Sequence, residues 1–168
     1  MKKFSLVAIL ALAALFALSS LAGAGFFGDK ELDNEKLVIK FHREVKAGGY
    51  DIVDTETLKG WLDAKKPMII VDTMPYEASY QKHHIPGAVQ FEFPVKPLPE
   101  MSPARQAKYR KLLGPDPEAV IVVYCGFPKC GRSHNGAMWA KKLGYKNVYR
   151  HPGGIKAWLE KDYPTASD

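Results

Sequence analysis

Cysteine is scarce in this chain. Two thiols in 168 residues, Cys125 and Cys130, are too few for a disulfide-stapled framework, and no second Cys pair exists to complete a structural zinc site. Acidic residues are missing from the first 24 positions, and long apolar runs are missing after them, so no later segment is expected to span a bilayer. No Arg/Lys stripe accompanies the formal charge of +6, which falls to +4 once Lys2 and Lys3 are set aside; a nucleic-acid partner is not expected. Internal repeats and low-complexity tracts are absent too. A hydrophobic share of 46% with 25% charged residues excludes a mostly disordered or collagen-like chain, and the length fits one ordinary domain or one domain plus an appendage.

What stands at the start reads as an address. Lys2-Lys3 forms a positive head, residues 4–21 are apolar except for Ser5, Ser19 and Ser20, and Ala22-Gly23-Ala24 supplies the small-x-small pattern of a signal peptidase site. The expectation is a signal peptide over residues 1–24, cleavage before Gly25, export from a bacterial cytoplasm to the periplasm, and no stable membrane insertion afterwards. No Cys follows the run, which argues against a lipoprotein anchor. The rival is an uncleaved anchor, for which an 18-residue run sits at the short edge of spanning length.

Residues 25–50 read as an N-terminal helical extension, with Leu37, Val38, Phe41 and Val45 at helical spacing and Gly48-Gly49 as its end. From residue 51 to residue 168, strand-like runs alternate with helical patterns. Ile52-Val53, residues 68–71, residues 88–91, residues 119–124 and residues 147–150 are the strand candidates. Residues 55–64, 103–113, 132–143 and 154–161 are the helices, and residues 75–82 form one or two helical turns. Ser102-Pro103 is an N-cap followed by proline at the first helical position. The run ending at Tyr124 is the most apolar and β-branched, suited to the centre of a parallel sheet. The pattern predicts an α/β fold in three layers, a central parallel sheet with helices on both faces.

In such sheets ligands sit beyond the carboxyl ends of the strands. The central strand delivers Cys125 to that place. The loop that follows is Gly126, Phe127, Pro128, Lys129, Cys130 and Gly131, and a helix begins near Arg132-Ser133. A loop of this composition can curl its backbone N–H groups toward the Cys125 sulfur. The helix N-terminus adds partial positive charge, and both effects favour a thiolate nucleophile and an anionic sulfur or oxyanion substrate.

Several segments in order resemble one family. They are Ile69-Ile70-Val71-Asp72, His84-Ile85-Pro86-Gly87-Ala88, Val122-Val123-Tyr124-Cys125, Arg132-Ser133-His134-Asn135-Gly136-Ala137, residues 143–149, and Pro152-Gly153-Gly154 followed by Ile155-Lys156-Ala157-Trp158. The chain from about residue 52 to residue 163 resembles a rhodanese-like (sulfurtransferase) domain. The resemblance implies the rhodanese fold over residues 51–168, no cofactor, and a cysteine, matched to Cys125, that takes up sulfane sulfur as a persulfide and passes it to a thiophile. Two departures stand out. The usual loop has an Arg five residues after the cysteine, whereas Arg132 lies seven after Cys125. Asp72-Thr73-Met74 stands where the family commonly has Asp-x-Arg, leaving Arg132 or Lys129 to replace the missing charge.

Cys130, five residues after Cys125, is within bridging reach if the loop folds back. A ring that small is a poor staple, stabilising by about 2 kcal/mol, but a workable resolving thiol or redox switch. The plain alternative is a half-buried thiol that packs the loop. Asp72 ends a strand near the mouth and either tunes the site or holds a loop amide. Arg132 is expected to cap the loop or hold an anion, Ser133 to donate to sulfur or start the helix, and Phe127, Pro128 and Lys129 to line the entrance. His84 reads as a hydrogen-bonded turn residue. A metal set of Cys125, Cys130, His134 and His151 can be drawn but lacks the usual hook spacing. Trp61, Trp139 and Trp158 read as core.

The function expected from the sequence is an exported sulfurtransferase that loads Cys125 from thiosulfate or polysulfide and hands sulfur to a thiol, cyanide or a partner protein. Two other readings stand beside it: a thiol–disulfide or oxyanion reductase using Cys125 and Cys130, and a non-catalytic sulfur- or partner-binding module. A cysteine-dependent phosphatase ranks behind these, since no general acid is evident.

Overall fold

The computed structural model describes residues 30–168; the apolar segment read as a signal peptide lies outside the described residues. The compact unit that carries the sheet begins at Lys40 and runs to the C-terminus. Helix α1 (Glu31–Gly48) ends where Gly49 adopts a φ of 63° and returns its N–H to the Val45 carbonyl at 2.9 Å. Its buried stripe runs through Phe41, Glu44, Val45 and Gly48, at i, i+3, i+4 and i+7. Of the four residues expected on this face, Leu37, Phe41 and Val45 are half-buried, whereas Val38 is 66% exposed and the acid Glu44 is half-buried instead.

Strands β1 (Asp51–Ile52), β2 (Ile69–Asp72), β3 (Ala88–Gln90), β4 (Val120–Tyr124) and β5 (Asn147–His151) form one all-parallel sheet in the order β1-β5-β4-β2-β3. Between them lie α2 (Thr55–Asp63), a wide turn at Tyr76–Tyr80, α3 (Pro103–Leu113) and α4 (Arg132–Lys142), and α5 (Gly154–Glu160) follows β5. Asp54 caps α2 by accepting the Thr57 N–H at 2.7 Å, and Ser102 caps α3.

Side chains of β4 alternate between two cores. Ile121 and Val123 join Val71 and Val148 beneath α3 and α4, with Phe93, Tyr109 and Trp139; Val122 and Tyr124 join Ile70, Leu58, Ile85, Ile155 and Trp158 on the side of α2 and α5. Both faces are therefore covered, which is why β4 reads as a continuous apolar run rather than an alternating one. The edges are two and three residues long, too short to recruit a foreign strand readily.

The strand order fixes where a site can form. After β2 the chain moves outward to β3, and after β4 it moves the opposite way to β5. The connections leave in opposite directions between these two neighbours and open a crevice at their carboxyl ends. Asp72 and Tyr124 are register partners there, so Cys125 emerges beside Thr73. Thr73 reaches across twice, its N–H and its hydroxyl both donating to the Tyr124 carbonyl at 3.0 and 2.7 Å.

Candidate active site around Cys125

Cys125 is 1% exposed, and three devices shape the loop that follows it. Pro128 sits in a turn closed by the Cys130 N–H donating to the Phe127 carbonyl at 3.1 Å, which folds the loop back on itself. Helix α5 then grips the loop's first carbonyls: Ile155 N–H donates to Cys125 O at 2.9 Å and Lys156 N–H to Gly126 O at 3.1 Å. That grip needs glycine at residue 154, where φ is 60° and a Cβ would lie 2.1 Å from the Cys125 carbonyl oxygen. Gly131 is similarly constrained, since a Cβ there would meet the Val95 carbonyl at 2.3 Å.

Ser133, in the first turn of α4, places its Oγ 3.2 Å from the Cys125 sulfur, and its backbone N–H is directed at the same atom. The hydroxyl is itself held by Arg150, whose Nε donates to Ser133 Oγ at 2.9 Å. Arg150 is wholly buried. Its Nη1 meets Glu44 at 2.7 Å and the Tyr50 hydroxyl at 3.3 Å, and its Nη2 donates to the carbonyls of Cys130 at 2.9 Å and Pro128 at 3.4 Å. The ring of Phe41 lies 4.6 Å from the guanidinium carbon. One side chain thus fixes the loop and the serine together, while Glu44 offsets a charge that would be costly to bury alone. Burial favours the protonated form of Glu44, yet hydrogen bonds from Lys40 and Arg150 hold its carboxyl below the usual range. Tyr50, already an acceptor from Arg150, donates its hydroxyl hydrogen bond to His134 Nδ1 at 2.9 Å.

The sequence reading aims the loop's N–H groups at Cys125. In the structure only Ser133 does so; the N–H groups of Gly126 and Arg132 face the sulfur of Cys130, and the Cys125 thiol donates to the carbonyls of Cys130 at 3.6 Å and Phe127 at 3.7 Å. The neighbouring Cys130 thiol and burial push the Cys125 thiol up, whereas the neighbouring Cys125 thiol, the two N–H groups and the nearby Arg132 charge overcome partial burial and bring Cys130 down to about 6. The pair gives up its first proton near neutrality and its second only with difficulty. Both cysteines are free thiols.

Arg132 does not hold the cradle through its guanidinium as expected. It is salt-bridged to Glu92 at 3.1 Å and donates to the Phe93 carbonyl, because the half-buried first turn of α4 faces the segment after β3. Lys129 is exposed and Phe127 is 41% exposed with Lys156 stacked over its ring, so these two stand at the rim, with Pro128 half-buried behind them. Neither Arg132 nor Lys129 replaces the missing family arginine as the group that orders the loop; Arg150 does that, from a strand the sequence reading treated as scaffold. Asp72 is fully buried, accepts the Met74 N–H at 2.8 Å, and is pushed up to about 6 chiefly by burial. His84 is the hydrogen-bonded turn residue expected, on the Tyr80 carbonyl at 2.9 Å and stacked on the Tyr80 ring. His134 and His151 are engaged by Tyr50 and the Val53 carbonyl, and among the described residues no three His, Cys, Asp or Glu side chains gather to hold a metal ion.

Arg150, Glu44 and Tyr50 are the members that sequence reasoning missed. The available signal was an arginine sharing the strand face of Val148, since a guanidinium pointed into a core demands an acid from elsewhere.

Comparison with known proteins agrees with this geometry. A family description, "Rhodanese-like domain", matches residues 54–161, and no curated protein matches. Solved structures that resemble the chain include thiosulfate sulfurtransferase from Pseudomonas aeruginosa, with a TM-score of 0.59 at 20% identity over 76% of this chain and 22% of that one. The polysulfide-sulfur transferase homodimer of Wolinella succinogenes aligns with a TM-score of 0.55 at 19% identity, over 84% of this chain and 95% of that one. The BH2092 protein of Bacillus halodurans gives a TM-score of 0.55 at 22% identity over 76% and 85% of the two chains. Five parallel strands, a cysteine loop at the reversal of their order and a family match over well more than half the length lead to one conclusion: this chain belongs to the rhodanese-like domain family.

Proposed function

We propose that the protein is an exported sulfurtransferase that carries sulfane sulfur on Cys125. The observation that supports this most directly is the surroundings of the Cys125 sulfur: buried, at the head of α4, with the Ser133 N–H and hydroxyl directed at it. Donors so placed offset negative charge as it spreads over an attacked sulfur. With thiosulfate as donor, the Cys125 proton passes to the Cys130 thiolate and the Cys125 sulfur bonds to the sulfane sulfur. Sulfite leaves with the electrons of the broken S–S bond. The product is a Cys125 persulfide anion, from which a thiol, cyanide or a partner protein takes the outer sulfur. Polysulfide would load the same atom. Substrates of this kind need no cofactor, and a net charge of +4 without a basic stripe gives no reason to add a nucleic acid.

The periplasm is the proposed location, on the strength of Lys2-Lys3, the apolar run and Ala22-Gly23-Ala24. Mass measurement of the protein recovered from a periplasmic extract should give a chain beginning at Gly25; a full-length chain in the membrane fraction would replace this with the uncleaved anchor. For the chemistry, intact mass after thiosulfate or polysulfide treatment should rise by one sulfur atom in Cys130→Ser, where the loaded sulfur stays in place, and in no case in Cys125→Ser. A gain that survives Cys125→Ser would sink the reading.

A further inference from the structure

Resting on the persulfide reading above, we infer that Cys130 supplies the electrons that reduce that sulfur: it resolves the Cys125 persulfide within the same chain and releases sulfide. Three observations converge on this. The Phe127–Cys130 turn folds the loop back until the Cys130 carbonyl lies 3.6 Å from the Cys125 sulfur, which places the second thiol beside the first. Backbone N–H groups of Gly126 and Arg132 are directed at the Cys130 sulfur, an arrangement that packing alone does not require and that suits a sulfur carrying negative charge. Cys130 is also half-buried where Cys125 is buried, so the second thiol is the more accessible of the two.

The step balances without a further reactant. After loading, Cys125 bears an outer sulfur anion and Cys130 holds the proton it received. The Cys130 sulfur bonds to the Cys125 sulfur as its proton passes to the outer atom, and the bond between Cys125 and that atom breaks. Hydrosulfide departs carrying the electron pair. The sulfane sulfur has been reduced, and the two cysteine sulfurs have been oxidised to a disulfide. A dithiol reductant then restores both thiols by exchange, entering at the more accessible Cys130 sulfur. With thiosulfate and a dithiol the complete cycle yields sulfite and sulfide, so the loop acts as a sulfane-sulfur reductase as well as a carrier.

The test is a single turnover of the reduced protein with thiosulfate, without oxygen or any other thiol, measuring sulfite, sulfide and intact mass. The native chain decides. Expected are one sulfite and one sulfide per chain, and a product two hydrogens lighter whose cleavage peptides join Cys125 to Cys130. Cys130→Ser should release sulfite, give no sulfide and remain one sulfur atom heavier; dithiothreitol should then return native protein to its starting mass. A native chain that releases sulfite, gives no sulfide and keeps the extra sulfur atom overturns the resolving role and leaves the carrier reading intact. A native chain that releases no sulfite from thiosulfate, together with a Cys130→Ser chain that gains no sulfur from thiosulfate or polysulfide, overturns the carrier reading itself.

Discussion

Arg150 donates its Nε–H to Ser133 Oγ at 2.9 Å, which commits that oxygen as acceptor and leaves the serine proton for the Cys125 sulfur 3.2 Å away. A neutral hydroxyl is thereby polarised toward an atom that must carry negative charge. Ser133→Ala should cost about 1.5–3 kcal/mol of stabilisation, or roughly ten- to hundredfold in the rate of sulfite release from thiosulfate. Stopped-flow turnover checks this, and an unchanged rate would mean that the backbone N–H of Ser133 suffices.

The same guanidinium predicts a stability cycle. Arg150→Met leaves Glu44 without its buried partner and strips the Cys130 and Pro128 carbonyls of their donor; the loss should be about 3–5 kcal/mol. Adding Glu44→Gln removes the stranded charge, so the double variant should be more stable than Arg150→Met alone. Urea unfolding of the four chains measures the coupling.

Thiol labelling should separate the cysteines. Cys130 should alkylate first, with a pH midpoint about 6, set against burial by the neighbouring Cys125 thiol, the Gly126 and Arg132 N–H groups and the Arg132 charge. Buried Asp72 acts in the opposite sense, since the two groups repel when both are charged. In Cys125→Ala the first of these supports disappears and the midpoint should move up toward an ordinary thiol. Peptide mapping after brief iodoacetamide pulses at a series of pH values reads both.

Asp72 should make the fold less stable as pH rises. Its carboxyl is raised from 3.8 to about 6, so between these values the folded state holds more protons than the unfolded one and stability falls with increasing pH. The cost is complete above about pH 6 and amounts to about 3 kcal/mol. Asp72→Asn keeps an oxygen for the Met74 N–H, and its melting temperature should exceed that of the native chain at pH 8 but not at pH 3.5.

Two glycines should respond in opposite senses to alanine. At Gly154 the new Cβ would collide with the Cys125 and Gly126 backbone, so the loop must move; a loss of at least about 2 kcal/mol and of most sulfur loading is expected. Gly60, inside α2 with open space around it, should gain about 0.5–1 kcal/mol. Thermal melts of both variants provide the comparison.

The sheet, its two cores and the place of Cys125 were legible because they rest on local signals. A β-branched run marked β4, Ser102-Pro103 marked the start of α3, and glycines with φ near 77° and 100° closed α3 and α4 at Gly114 and Gly144. The partners of the loop were not legible in the same way. Arg150 lies 25 residues after Cys125 and Glu44 lies 106 residues before Arg150, so no spacing rule connects them. The sequence put the helix-start charge in the cradle because Arg132 is adjacent in the chain; in three dimensions Glu92 is the nearer carboxylate and claims it. Likewise, a loop sequence indicates that N–H groups converge but not on which of two sulfurs.

The counter-charge for the loop's organising arginine comes from Glu44 and its hydroxyl neighbour from Tyr50, both upstream of residue 54, where the family match begins. Homology therefore draws its border inside the electrostatic unit. A fragment trimmed to residues 54–161 would keep every recognisable motif, yet would ask a cation sealed in the interior to stand without its anion. For truncation, grafting or fusion of this domain, the indivisible piece is the one that closes its own charges, and it starts no later than the last two turns of α1.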